Sequence, residues 1–131
     1  MILVTLDTGA LIAMEKRKPR GVMLLRAARE NRAELFAITP VIAEWWRGRS
    51  DVRDRIKASL TLVPFPVAAA EAAGLALAET HGGRGRSSMS IDAMVMAFAA
   101  TYGGALVYTS DVGDLQAIAT KHFPDVRVLG V

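Results

Sequence analysis

The sequence predicts an α/β protein, a three-layer α/β/α arrangement around a central parallel sheet of about five short strands. Three observations carry the prediction: five short apolar, β-branched runs, apolar residues at helical spacing in the segments between them, and regular alternation of the two. The 131 residues suit one domain spanning 1–131, and 52% hydrophobic against 22% charged residues is the composition of a chain that buries a core.

The elements follow in order. Ile2 to Leu6 is a buried strand closed by Asp7-Thr8-Gly9. Leu11, Ile12 and Met14 suggest a short helix, ended by Lys16-Arg17-Lys18-Pro19. From Gly21 to Arg32, Val22, Leu24, Leu25 and Ala28 oppose Arg26, Arg29 and Glu30 on an amphipathic helix. Leu35 to Ile38 is the second strand. Thr39-Pro40 reads as an N-cap followed by proline at the first helical position, and a basic helix or helix pair runs through Leu60. Thr61 to Phe65 is the third strand, and the Ala-rich residues 67–80 form a buried helix. Gly82 to Ser88 is a Gly/Arg/Ser loop, after which Ser90 caps a helix to Tyr102 that Gly103-Gly104 stops. Ala105 to Thr109 is the fourth strand, Ser110 or Asp111 caps a helix to about His122, and Val126 to Leu129 is the fifth strand.

With no cysteine, the chain cannot be a disulfide-stapled scaffold, a zinc finger, a thiol enzyme or a Cys-ligated iron–sulfur protein. Met1 leads straight into the first strand without a basic leader or long apolar segment, and the apolar stretches near 67–78 and 91–108 are broken by Glu71, Asp92 and glycines. A cytoplasmic protein without membrane contact is expected.

In a parallel sheet, ligands bind beyond the carboxyl ends of the strands. Acids stand at or near those places: Asp7 after strand one, Glu44 on the helix after strand two, Asp92 in the first turn of the helix after the Gly/Arg loop, and Asp111 with Asp114 after strand four. Each has a plainer reading: Asp7 as a helix cap, Glu44 as a solvated helix residue, Asp92 as a first-turn acid, and Asp111 with Asp114 as a capping pair. Convergent carboxylates raise one another's pKa unless a cation lies between them, and oxygen donors without Cys or clustered His suit Mg²⁺ or Mn²⁺.

The segments Val4–Ala13, Pro40–Gly48, Ile91–Ala100 and Leu106–Leu115 together resemble the four acidic blocks of the PIN-domain nucleases, in the family's order and across nearly the whole chain. Within that family the chain is most similar to the VapC ribonuclease toxins of toxin–antitoxin pairs. The resemblance implies a PIN-like fold and a Mg²⁺- or Mn²⁺-dependent endoribonuclease whose catalytic acids are Asp7, Glu44, Asp92 and Asp111. It places Asp7, Asp92, Asp111 and Asp114 at the metal, and puts Thr109 and Ser110 at hydroxyl positions beside the last acid. It further implies an RNA substrate, a VapB-like antitoxin and a homodimer. A stand-alone PIN nuclease of RNA maturation, or a PIN-like module that binds RNA or protein without catalysis, are the alternatives; the latter would be marked by a lost acid, and none is lost. The Trp45-Trp46 pair and Lys16-Arg17-Lys18 depart from the family pattern.

Net charge is +3, and 12 of the 16 basic residues are arginine; setting the five candidate acids aside leaves 16 bases against 8 acids, a net of +8 for holding a phosphate backbone. Arg84, Arg86, Arg47 and Ser110 are the expected RNA contacts, with Arg49, Arg53 and Arg55 either joining them or forming a solvated helix face. One of Trp45 and Trp46 should pack inward and the other meet a partner. His81 and His122 read as surface residues. Asp7-Thr8-Gly9 also matches the aspartic-protease signature, but those folds are almost all β, and the protease reading leaves the other acids idle.

Overall fold

Five short strands line up side by side in the computed structural model, which describes residues 1–81 and 87–131, and side chains for 1–79 and 89–131. They are β1 (Ile2–Leu6), β2 (Ala33–Ile38), β3 (Leu60–Val63), β4 (Leu106–Thr109) and β5 (Arg127–Gly130), all parallel, in the spatial order β3-β2-β1-β4-β5. Strand β1 is central because Val4, Thr5 and Leu6 tolerate burial on both faces, as a parallel sheet covered on both sides requires.

Helices α1 (Thr8–Glu15), α2 (Pro19–Arg29), α3 (Thr39–Trp45) and α4 (Asp51–Ala58) connect β1 to β2 to β3; α5 (Val67–His81), α6 (Ser87–Thr101) and α7 (Val112–His122) serve β4 and β5. Right-handed crossovers put the first four on one face and the last three on the other. The contacts of α1 with α2, α3 and α4, and of α6 with α5 and α7, agree with that division. Where α2 crosses α1 the residue is Gly21, and a Cβ there would lie 3.1 Å from the backbone of Met14.

This topology fixes where a ligand can sit. The chain moves outward from β1 to β2 and β3, then returns to the other side of β1 for β4 and β5. The loops leaving β1 and β4 therefore diverge, and a crevice opens at their carboxyl ends.

Several local expectations change. Helix α6 begins at Ser87 instead of after Ser90, so Asp92 lies in its second turn and the first turn has no acid. A favourable helix-dipole site therefore does not account for Asp92. Ile38, not Thr39, is the N-cap of α3, because the Thr39 hydroxyl accepts a hydrogen bond from the Phe65 N–H at 3.2 Å. Helix α5 buries only the edge formed by Ala69, Ala73 and Ala76, leaving Val67 and Leu75 exposed at 74% and 68%. The His122 side chain is turned inward, only 6% exposed, and its Nδ1 lies 3.3 Å from Glu79 of α5. Among the described residues no helix is long and apolar enough to cross a membrane.

Candidate active site

The acids are positioned one element at a time. Asp7 follows the last residue of β1, where Leu6 is fully buried, and remains only 6% exposed. One of its oxygens, Oδ1, accepts the Ala10 N–H at 2.8 Å and so caps α1; Oδ2 accepts the Thr109 hydroxyl. Its cap role and its place in the site thus coexist, one oxygen to each. Thr109 ends β4, and the same hydroxyl oxygen accepts the Asp111 N–H at 2.9 Å. Asp111 in turn caps α7, its Oδ1 accepting the Asp114 N–H at 3.3 Å. On the other flank, the Thr8 hydroxyl donates to Oε1 of Glu44 on α3. A hydrogen-bonded belt therefore runs from Glu44 to Thr8 at the start of α1, and from Asp7 through Thr109 to Asp111 and Asp114.

Gly9 makes the close fit possible. A Cβ at that position would collide with the Ser110 side chain and come within 3.3 Å of its backbone nitrogen. Asp-Thr-Gly is here an acid, a hydroxyl that orients a second acid, and a residue small enough to pass β4.

Asp92 approaches from α6, which packs on β1 and β4. Its pKa is pushed up to about 7, first by burial and then by the negative charges of Asp7, Asp114, Glu44 and Asp111; no hydrogen bond among the causes favours its anion. Burial likewise raises Asp7, and the charges of Glu44 and Asp111 add to it, against the lowering effect of Thr109 and the Ala10 N–H. Asp114, fully exposed, is raised by its hydrogen bond and repulsion with Asp111. The other four acids expected from the sequence thus all lie within electrostatic reach of Asp92.

All the donors are oxygens, the set preferred by a hard divalent cation. Among the described residues no three or more acids or histidines are placed to hold a metal ion as they stand. Gathering them takes side-chain rotation, for which the exposed Glu44, Asp111 and Asp114 have room. The donor chemistry fits the ion, which would be held by Asp7 and Asp92 with Asp111 and Asp114 beside them.

Arg84 and Arg86 lie outside the described residues. Ser110 is exposed at the rim next to Gly9, and Arg47 is exposed just beyond α3. Trp45 is buried, its indole N–H donating to Glu15, while half-buried Trp46 packs edge-to-face on it and lies 5.1 Å under Lys57. Thr8 was not singled out from the sequence. The only signal for it was a hydroxyl at the first position of the helix that Asp7 caps.

Thr109→Val tests the belt, since valine keeps the shape and removes the hydroxyl. The buried Asp7 loses a donor and Asp111 N–H an acceptor, an expected loss of about 1–3 kcal/mol of stability by thermal or denaturant unfolding. An unchanged midpoint would mean the Thr109 hydroxyl holds nothing in place.

The family model for the PIN domain matches residues 4–121 of the chain. None of the curated proteins compared matches it. Among solved structures, a VapBC2 complex from Rickettsia felis bound to a DNA fragment from its promoter is similar, with TM-score 0.62 and 16% identity over 100% of this chain and 99% of that one. A DNA-bound VapBC from Salmonella typhimurium is similar as well, with TM-score 0.66 and 15% identity over 99% of this chain and 98% of that one.

Proposed function

The chain belongs to the PIN domain family, and on that premise we propose that it is a Mg²⁺- or Mn²⁺-dependent endoribonuclease, the toxin of a VapBC-type pair. One observation supports the reading: Asp7, Glu44, Asp111 and Asp114, from three other segments, all lie within electrostatic reach of Asp92, and burial and neighbouring negative charge raise the pKa values of Asp7 and Asp92. Without a counter-charge such a cluster is unfavourable, which is the electrostatic condition of a cation site.

A bound divalent cation supplies an acidified water and neutralises charge developing on the scissile phosphate. The protein's own part is placement. Thr109 and the Ala10 N–H fix Asp7, so that its carboxylate enters the site in one orientation. Asp92 faces it from the opposite layer, carried by a helix with a buried core face. Glu44, with one oxygen taken by Thr8, has the other to accept a hydrogen bond from an attacking water. Asp111 and Asp114 complete the negative wall, and Ser110 at the rim donates to the RNA backbone.

A VapB-like partner is supported by the two structural neighbours, which are VapBC complexes. A groove of about 380 Å³ among α1, α2 and α4 adds to this. Met14, Leu25, Val52 and Ile56 line it, with Arg17, Arg26, Arg29 and Arg55 around them and Glu30 as the lone acid. That combination suits an acidic amphipathic segment of a partner protein. We further propose a homodimeric, cytoplasmic protein.

The test is incubation of the purified chain with a mixed RNA pool, with Mn²⁺ or Mg²⁺ and with chelator, followed by mapping of the ends. Discrete cuts that require the ion are expected. Intact RNA under both ions, or equal cutting in chelator, overturns the assignment.

A further inference from the structure

A second cavity, of about 280 Å³, opens beside Glu44 between α1, α3 and α4. Lys16, Arg47 and Arg53 line it together with Glu15 and Glu44, and the buried Trp45 forms part of its wall. Both acids are already engaged. Glu44 accepts the Thr8 hydroxyl and adds its charge to the acidic cluster. Glu15 accepts the Trp45 N–H and lies 3.5 Å from Arg53 Nε.

The cations are less well matched. Among the described residues Arg47 donates to the backbone carbonyls of Ala43 and Trp46, at 3.4 and 2.8 Å, which carry no net charge. No described carboxylate forms an ion pair with Lys16. Arg53 donates to the Gly48 carbonyl at 3.3 Å, but its buried Nε makes no hydrogen bond and has only the long approach to Glu15. The structure thus sorts the arginines that follow Glu44. Arg49 is bound to Asp54 at 3.1 Å and Arg55 lines the other groove, leaving Arg47 and Arg53 facing this cavity.

We infer that this cavity is a phosphate subsite, which seats a backbone phosphate of the RNA strand flanking the bond to be cut. The inference rests on the nuclease reading and deepens it. A cluster of five carboxylates repels the polyanion it must act on, so strand binding has to come from cations immediately next to it. This cavity shares Glu44 with the cluster and carries them. Trp45 supplies a rigid wall and not a stacking surface, because its ring is buried and its N–H is spent on Glu15.

The test measures binding of a fluorescent single-stranded RNA to the Asp92→Asn protein, which binds without cutting, across a salt series. Lys16→Gln with Arg47→Gln removes two exposed charges, and circular dichroism checks that the fold is retained. Each lost phosphate contact flattens the log–log salt dependence by about 0.7, so a flattening of about 1.4 with roughly tenfold weaker binding is expected. Arg47→Lys, with Lys16 intact, keeps the slope. Arg32→Gln with Arg127→Gln, at the amino ends of β2 and β5 on the opposite edge of the sheet, leaves slope and affinity unchanged. Unaltered binding by the Lys16/Arg47 variant, or an equal loss in the Arg32/Arg127 variant, overturns the subsite. If wild type still cuts RNA in that case, the nuclease reading survives it. Absence of any RNA binding by the parent overturns both.

Discussion

Asp92→Asn is expected to abolish ion-dependent RNA cleavage while the protein folds as well as wild type or better. Asparagine is isosteric and can still coordinate weakly, but it cannot contribute the negative charge. Loss of an outer-shell partner costs metal sites about 10- to 100-fold. A residue whose carboxylate holds the ion should cost more, on the order of 10³-fold. The fold is spared because the charge on Asp92 is unfavourable where it stands: burial and four neighbouring carboxylates disfavour its anion. A simple packing role predicts the opposite pattern, with activity falling only as far as stability does. Cleavage rate and melting temperature measured on the same preparation separate the two, and a variant that cuts at the wild-type rate would place the chemistry elsewhere.

The second large effect is a stability that depends on pH in the reverse of the usual carboxylate sense. Burial and the neighbouring carboxylates push Asp92 up to about 7 in the folded chain, from an ordinary value of 3.8. Between those values the folded state binds more protons than the unfolded one, so stability is fully present below about 4 and is lost as pH rises through about 7. Asp7, also raised, acts in the same direction. Because Asp92 is only partly buried, solvent screening limits its share to on the order of 1 kcal/mol, a few degrees in Tm for a domain of this size. In chelator, Tm should therefore rise on acidification from pH 8 to about 5. Saturating Mg²⁺ should raise Tm most at the alkaline end and flatten the profile, since the ion replaces the protons. A flat profile in chelator, or one that Mg²⁺ leaves untouched, contradicts the cation site.

What could be read in the sequence and what could not divide on physical grounds. The five strands and their parallel arrangement were legible because buried strands are short, apolar and β-branched, and because helices separate them. The acids were legible because Asp7 and Asp111 each stand just past a strand end. The start of α6 was not: Ser87, Ser88 and Ser90 are all competent caps, and local propensity cannot choose among them. The Thr39 hydroxyl went to Phe65, 26 residues away, and the His122 side chain is turned inward beside Glu79, 43 residues away; neither contact leaves a local signal. Composition suggested that α5 is buried, yet only its alanine edge packs, and alanine content says little about which edge that is. Pairing with Asp54 withdraws Arg49 from the basic run after Glu44, and only the fold shows that Arg47 and Arg53 face a cavity at the acidic cluster.

The account stands on folding having forced mutually repelling carboxylates into one shared space. The most direct measurement is the titration of the Asp92 side-chain carboxyl carbon by NMR, in chelator and in saturating Mg²⁺. A midpoint near 7 that falls when Mg²⁺ is added is the predicted result. A midpoint near 3.8 in both conditions would show Asp92 to be an isolated, solvated acid, and the cation site would not exist.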